Sequence, residues 1–378
     1  MRPSRTGIDD QTGPSQALGD RLHQPGDGGA AEPGLLSAGA TATGKPAGTT
    51  QGPIKGRTGM KGRLALLLIS GIISYPLQAS PDFEHYVTGL KQEALAAGIS
   101  PATVTAAFAD IHLIEVAIRH DKNQPEFKQT LATYIPRAVP QWKVNQAKRL
   151  YSQYLPLLTK IGAEYDVQPR FIVALWGIET NFGKLTGKYP LVSSLATLAW
   201  EGRREAFFKG QLFDALRILE QQKMAPADLK GSWAGAMGQV QFMPSSYLQY
   251  AVDQDGDGKQ DLWGNLADVF GSAANYLHQN GWHGDETWGR RVRAPAGLDP
   301  ALIGLEETRA LSAWQALGVR KADGADLPQA SLQASLVQPD GEGGAAYLAY
   351  PNYRVLRDWN RSHYFVVAVG TLADRIVE

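Results

Sequence analysis

The chain is 378 residues long and sets 37 lysines and arginines against 37 aspartates and glutamates, a formal net charge of zero. That balance excludes the concentrated basic surface that nucleic-acid phosphates require. With no cysteine anywhere, the fold has no disulfide, no thiolate nucleophile, no Cys-based zinc site and no lipid anchor on an N-terminal cysteine.

From Met1 to about Gly59 the chain is rich in Gly, Pro, Ser and Thr and poor in large apolar side chains. Such a segment buries too little surface to offset its ordering entropy and is predicted to be disordered. Met60-Lys-Gly-Arg63 then leads into an apolar run from Leu64 to Ile73, with the small residue Ala79 beyond it. Basic, then apolar, then small is the pattern of a secretory signal peptide over residues 60–79. The run is short for a bilayer span, so the mature chain is expected to begin near Ser80, exported and without an integral membrane segment. Two alternatives stay open. The run could be a buried helix of the folded domain, or translation could start at Met60, leaving residues 1–59 as an upstream extension.

From Asp82 to about Val167 the pattern is helical with polar breaks. Within it, Val144 to Tyr165 carries Ala147, Leu150, Tyr151, Tyr154, Leu155 and Leu158 at helix spacing. Asp166-Val-Gln-Pro169 breaks the chain, and Pro169 suits the first turn of the next helix. Further helices are predicted over Leu191–Trp200, Phe207–Gln222 and Leu266–Asn280. From about Trp288 to Val355, Pro, Gly and Asp punctuate short runs such as Ala330–Val337 and Ala345–Ala349, which read as strands joined by turns. Helix returns at His363–Ile376. The predicted fold is mainly α, with a small β-rich insertion over about 288–355.

In Phe171-Ile-Val-Ala-Leu-Trp-Gly-Ile-Glu-Thr-Asn-Phe-Gly183, the residues Ile172, Leu175, Trp176 and Glu179 fall on one helix face that is otherwise apolar. A carboxylate there reaches solvent at the helix end, pairs with an arginine, or is held partly neutral, because desolvation raises its pKa. The third state is what a general acid for glycoside cleavage requires. A second block, Ser232-Trp-Ala-Gly-Ala-Met-Gly-Gln-Val-Gln-Phe-Met-Pro-Ser-Ser-Tyr247, is rich in small residues that permit close backbone approach. Ser232, Gln239, Gln241 and Tyr247 offer groups of the kind that read sugar hydroxyls and acetamides. A tight turn feeding a helix at Pro244 is equally compatible with it.

GIETNFG together with AGAMGQVQFMPSSY resembles the lytic murein transglycosylase B family, and the similarity runs from about Gln124 to Asp374. The resemblance implies a lysozyme-like catalytic core with an extra helical region, acting on peptidoglycan glycan strands in the periplasm, as a monomer. It also implies Glu179 as the catalytic residue. Neither block holds a second carboxylate to serve as nucleophile, as a two-carboxylate glycosidase would need; Glu201, Glu205 and Asp214 lie on charged or mixed helix faces. A lytic transglycosylase needs only one. Its acid protonates the glycosidic oxygen, then as a base deprotonates the sugar's own C6 hydroxyl to close a 1,6-anhydro ring. The family's C-terminal Arg-Tyr-Asn-x-Ser pattern appears as Arg357, Asp358, Trp359, Asn360 and Ser362. Trp in place of Tyr keeps a stacking face and loses the phenol hydroxyl. Met237, Asn352, Trp359 and Asn360 join the four residues above as expected substrate contacts. A hydrolytic muramidase and a non-catalytic sugar-binding protein are the rival readings.

Asp253-Gln-Asp-Gly-Asp-Gly-Lys-Gln-Asp261 has Asp at loop positions one, three, five and nine, with Gly258 at six, like the start of an EF-hand. Lys259 occupies position seven, which ligates through its backbone carbonyl. Position twelve is Gly264 rather than Glu, and the family resemblance suggests Asp268 as the closing acid. A structural Ca²⁺ is expected, with no cofactor for catalysis; a metal-free Asp/Gly turn is the alternative. Gly183-Lys-Leu-Thr-Gly-Lys188 is one residue short of a phosphate loop and is followed by Tyr189, so it is rejected as one.

Overall fold

The computed structural model describes residues 81–122 and 129–378. The expected leader, the signal segment and the start near Ser80 lie outside the described residues. Six helices come first: α1 (Pro81–Ala96), α2 (Pro101–Ala107), α3 (Glu115–Lys122), α4 (Leu131–Ala138), α5 (Gln141–Gln153) and α6 (Leu155–Tyr165). The periodicity running from Val144 to Tyr165 is thus two helices and not one. Pro156 cannot donate the amide that a continuous helix needs, so it sits in the first turn of α6. Asp166 then ends α6 in the left-handed region.

At the centre lies α7 (Pro169–Thr180), started by Pro169 as expected. It is apolar nearly all round, the signature of a helix packed on every side, and Phe171, Ile172, Ala174 and Leu175 are fully buried. Its neighbours are α5, α6, α11 (Leu266–Gln279) and α14 (His363–Val377). Between α7 and α11 come α8 (Leu191–Glu201), α9 (Glu205–Gln222) and α10 (Pro244–Tyr250), with a two-stranded pair, β1 (Tyr189–Pro190) against β2 (Lys230–Gly231). Among the described residues no helix is long and apolar enough to cross a membrane.

The remaining strands are β3 (Gly289–Arg293), β4 (Arg309–Ala310), β5 (Arg320–Lys321), β6 (Gln333–Val337) and β7 (Ala346–Ala349), with the short α12 (Leu311–Ala316) among them. They form one antiparallel sheet in the order β4-β6-β7-β3-β5. The inner strands β6 and β7 are buried on both faces, apart from Gln333 at the start of β6. The period of two sends Ala334, Leu336, Ala346 and Leu348 into a small second core with Trp314, while Val337, Tyr347 and Ala349 face the helical core. Chain that reads as turns and strands up to Val355 is in fact α13 (Pro351–Trp359) from Pro351 onward. This helix is pinned from below by Trp288, which stacks on Tyr353 at 6.1 Å. Trp288 itself lies so close to Gly370 of α14 that a Cβ there would fall 2.1 Å from its ring.

Candidate active site

The C-terminal end of α7 is an unusual turn. Asn181, Phe182 and Gly183 follow one another in the left-handed region, at φ 52°, 61° and 78°. Such a run is costly for residues with a Cβ, so its surroundings must hold it. The Phe182 ring packs edge-on against Trp176 at 5.5 Å and its amide donates to the Trp176 carbonyl at 3.2 Å. The Gly183 amide donates to Thr180 Oγ1 at 3.0 Å, and that hydroxyl donates to the Gln239 carbonyl at 2.7 Å. The turn brings Glu179 to the rim of the core. It alone keeps partial exposure in a stretch, Phe171 to Thr180, that is otherwise buried.

Trp359, the last residue of α13, donates its indole N–H to Glu179 Oε1 at 2.7 Å. Oε2 has no protein hydrogen-bond partner among the described residues and is not one of the side-chain atoms sealed from solvent. Burial pushes the carboxyl group up to about 8, against a smaller downward pull from the Trp359 bond. Aromatic rings surround it. The indole packs on Phe242 at 5.3 Å and on Tyr276 at 4.7 Å, and Tyr276 in turn meets Tyr250 at 4.5 Å. Tyr134 on α4 is pushed up to about 12, first by burial and then by the charge of Glu179, and its ring meets Tyr364 edge-on at 5.4 Å. No arginine or lysine pairs with Glu179 among the described residues, so of the three states open to this carboxyl group the partly neutral acid is the one that fits. Glu201, Glu205 and Asp214 are engaged elsewhere, with Lys122 at 3.6 Å, Lys209 at 3.8 Å and Arg217 at 2.6 Å.

Several expected substrate contacts serve the fold instead. Met237 is wholly buried in the helical core. Tyr247 is wholly buried and donates its hydroxyl to the Gln260 carbonyl at 2.5 Å. Asn352, also wholly buried, accepts from the His283 amide at 2.8 Å and donates to the carbonyls of His283 and Glu286. Each lost its place in a cleft because a buried amide or hydroxyl is stable only with its partners satisfied inside. Gln239 is nearly buried. Its Oε1 accepts from the Trp176 indole and its Nε2 donates to the Trp263 carbonyl, both at 2.7 Å. Gly183 is what lets Gln239 in, since a Cβ there would fall 2.2 Å from Gln239 Oε1. Ser232 is almost buried and accepts from the Ala236 amide at 3.0 Å. Gln241, in the left-handed region, keeps partial exposure; its Nε2 donates to the Thr186 and Gly238 carbonyls. Asn360 is half-exposed and caps the next turn by accepting from the Ser362 amide at 3.0 Å. Glu179, Gln241, Trp359 and Asn360 therefore keep accessible surface. Tyr134, Phe242 and Tyr276 are the residues that sequence reasoning missed.

The acidic loop joins α10 to α11. Asp253, Asp255 and the wholly buried Asp268 each present an oxygen within 4.8 Å of the others, an all-oxygen set suited to a hard cation. Asp268 accepts from the amides of Gln254 and Asp261 at 2.8 Å. Burial pushes it up, and the nearby Asp255 and Asp253 add to that. Asp257 and Asp261 are not drawn into this cluster. Asp257 accepts from the Lys259 amide, and Asp261 from the amides of Trp263 and Gly264.

Residues 82–374 match the Transglycosylase SLT domain family. Over 234 residues the chain is 37% identical to the membrane-bound lytic murein transglycosylase B of Escherichia coli (strain K12), a match covering 60% of this chain and 62% of that protein. The chain thus spans less than two-thirds of that relative's length. The fold is similar to SltB3 from Pseudomonas aeruginosa in complex with NAG-anhNAM-pentapeptide, at 41% identity and a TM-score of 0.75, covering 78% of this chain and 79% of that one. It is also similar to the Escherichia coli lytic transglycosylase Slt35 in complex with calcium, at 29% identity and a TM-score of 0.66, covering 79% of this chain and 93% of that one.

Proposed function

This chain belongs to the Transglycosylase SLT domain family, and from that premise we propose that it is a peptidoglycan lytic transglycosylase with Glu179 as its single acid/base. It cleaves the β-1,4 bond between MurNAc and GlcNAc without adding water and leaves 1,6-anhydro-MurNAc ends. The observation that carries this reading is one carboxyl group, pushed up to about 8 by burial, with Oε1 held by Trp359 and Oε2 without a protein partner among the described residues. Such a group is protonated at neutral pH and is therefore a competent acid.

Glu179 gives its proton to the glycosidic oxygen, and the C–O bond to MurNAc C1 breaks as GlcNAc leaves. The carboxylate left behind takes the proton from the MurNAc C6 hydroxyl, whose oxygen closes on C1. The proton count returns to its starting value. The aromatic lining around Glu179 keeps water scarce while this happens. Gln241 and Asn360 are assigned to the substrate and Trp359 to Glu179 itself, with Tyr134 and Tyr276 forming the walls. Asp253, Asp255 and Asp268 would hold a calcium ion, which neutralises their mutual repulsion and fixes the loop. The protein acts in the periplasm on glycan strands, with residues 60–79 directing export.

The test is mass spectrometry of the muropeptides released from purified peptidoglycan. Products lighter by one water than their reducing-end counterparts, lost in Glu179→Gln, support the reading. Ordinary reducing ends would make the protein a hydrolytic muramidase. Binding without release, unchanged in Glu179→Gln, would make it a non-catalytic sugar-binding protein.

A further inference from the structure

Resting on that reading of Glu179, we infer that Trp359 is a positioning residue that fixes which oxygen carries the reacting proton. An indole nitrogen always bears its hydrogen and has no lone pair to offer, so it donates and never accepts. At 2.7 Å from Trp359 Nε1, Oε1 is an acceptor when Glu179 is charged. It stays the better-placed acceptor when Glu179 is neutral, because the carbonyl oxygen of a carboxylic acid accepts more strongly than its hydroxyl oxygen and a proton on Oε1 would weaken the bond from the indole. The proton therefore resides on Oε2, the oxygen without a protein partner among the described residues.

The indole is held firmly enough to impose this. Phe242 and Tyr276 pack on it from two elements, and Asn360, immediately after it, is tied to the Ser362 amide. Its helix is anchored at the other end by Asn352, which binds the 283–286 loop through three hydrogen bonds. The bond to Glu179 spans 180 positions of sequence, so it joins two separately built halves of the cleft. The consequence is specific. One oxygen both gives the proton to the glycosidic oxygen and recovers one from the C6 hydroxyl, and both substrate atoms must approach Oε2 in turn. A phenol in the place of the indole could donate or accept, and would leave the proton free to sit on either oxygen.

Tyr134 and Tyr276 face the pair, and other titratable groups lie on the neighbouring elements. Tyr134 from α4 titrates at about 12 and Tyr276 from α11 is pushed higher still, both by burial. Asp358, beside Trp359, is raised by burial against the charges of Arg357, Arg361 and Arg354. His363, at the start of α14, is pushed down to about 4 by burial and by Arg357. Tyr134 and His363 lie well to either side of the midpoint of Glu179.

The experiment follows the indole N–H resonance of Trp359 in the ¹⁵N-labelled full chain from about pH 6 to about pH 10, assigned by its loss in Trp359→Phe. It should move with a midpoint near 8 and stay protected from solvent exchange on the acid side. The movement should vanish in Glu179→Gln. A resonance that ignores pH across this range, or that becomes exchangeable below the midpoint, would overturn the assignment. Trp359→Phe keeps the ring packing and should lower kcat about 10- to 100-fold with KM within about twofold, as expected when general-acid geometry is lost. Its pH–rate limb should move upward, because the hydrogen bond that lowers the Glu179 pKa is gone. An unchanged kcat and pH profile would sink the idea. Trp359→Tyr should recover part of the rate. The resonance test reads the free protein, so it stands or falls apart from whether anhydro products form.

Discussion

At the end of α7 one carboxyl group is bonded by Trp359, whose indole packs on Phe242 and Tyr276, and burial pushes it up to about 8. In the loop between α10 and α11, together with the first turn of α11, five aspartates crowd into sixteen positions. There Asp253 alone accepts three backbone amides, from Gly256, Asp257 and Gly258. One region buries a carboxyl group and gives it a single hydrogen-bond donor and no countercharge among the described residues, so that it stays an acid. The other gathers oxygens and charge until a cation is the natural complement. The residue type is nearly the same in both, so the surroundings decide the chemistry. Gln239 stands between the regions, with one end on Trp176 of α7 and the other on the carbonyl of Trp263, two residues beyond Asp261.

The largest effect expected on this contrast comes from Glu179→Gln, which should cut anhydro-product release about 10³-fold, within the usual range for removing a general acid. Its stability should move the other way. A carboxyl group with a folded pKa near 8 binds its proton more tightly than the unfolded chain does. The folded state is therefore unpenalised below about pH 4.5 and loses stability as pH rises to about 8. The full cost is of order 5 kcal/mol, as an upper bound. Melting curves of the two proteins should lie together near pH 4 and separate by pH 9 in favour of the glutamine variant. A constant separation across that range would mean that Glu179 is not held neutral.

The acidic loop should answer to a different hand. Calcium at one hundred times its Kd is expected to stabilise the protein by about 2.7 kcal/mol, and chelation should remove that gain. Asp268→Asn should abolish the calcium-dependent rise in Tm. Per folded molecule, and well below the melt, kcat should change less than twofold on chelation, because the ion lends its charge to the loop and not to the glycosidic bond. A large loss of kcat with an intact fold would erase the division of labour between the two regions.

The two carboxylate regions were legible in sequence for one reason: each is written in a short window. Glu179 shows itself through the helix period of its own apolar face, and Asp253 to Asp261 through spacing within nine residues. The partners of Glu179 are written elsewhere. Trp359 lies 180 positions away and Tyr134 sits in an unmarked helix, and long-range packing leaves no local period behind. The polar residues of the Gly-rich block misled for a further reason. An amide that reads a sugar and an amide that braces a backbone need the same donors and acceptors, and only burial separates them. Pro156 stands inside the run from Val144 to Tyr165, and the apolar spacing that continues through it masks the break. Gln239→Leu tests the brace directly. Leaving the Trp176 indole and the Trp263 carbonyl unpartnered should cost about 2 kcal/mol. It should lower kcat as well, since Thr180 and Gly183 shape the turn that presents Glu179. Loss of substrate binding alone, with Tm unchanged, would return Gln239 to the cleft.

The smallest effect is expected at Tyr247, and it draws the sharpest line between a ligand contact and a brace. Its ring is wholly buried and lies 6.2 Å from that of Trp263, while its hydroxyl donates to the Gln260 carbonyl at 2.5 Å, inside the acidic loop region. Burial also pushes the phenol well above its ordinary pKa, so it stays a neutral donor throughout the working range. Tyr247→Phe keeps the ring and orphans one carbonyl, which should cost about 1 kcal/mol and lower Tm by a few degrees. The kcat and KM for glycan cleavage should stay within about twofold of the unmodified protein, because no part of the side chain reaches the cleft. A raised KM with Tm untouched would put the hydroxyl on the substrate. The Gly-rich block would then belong to the catalytic region, and not to the scaffold that joins it to the metal loop.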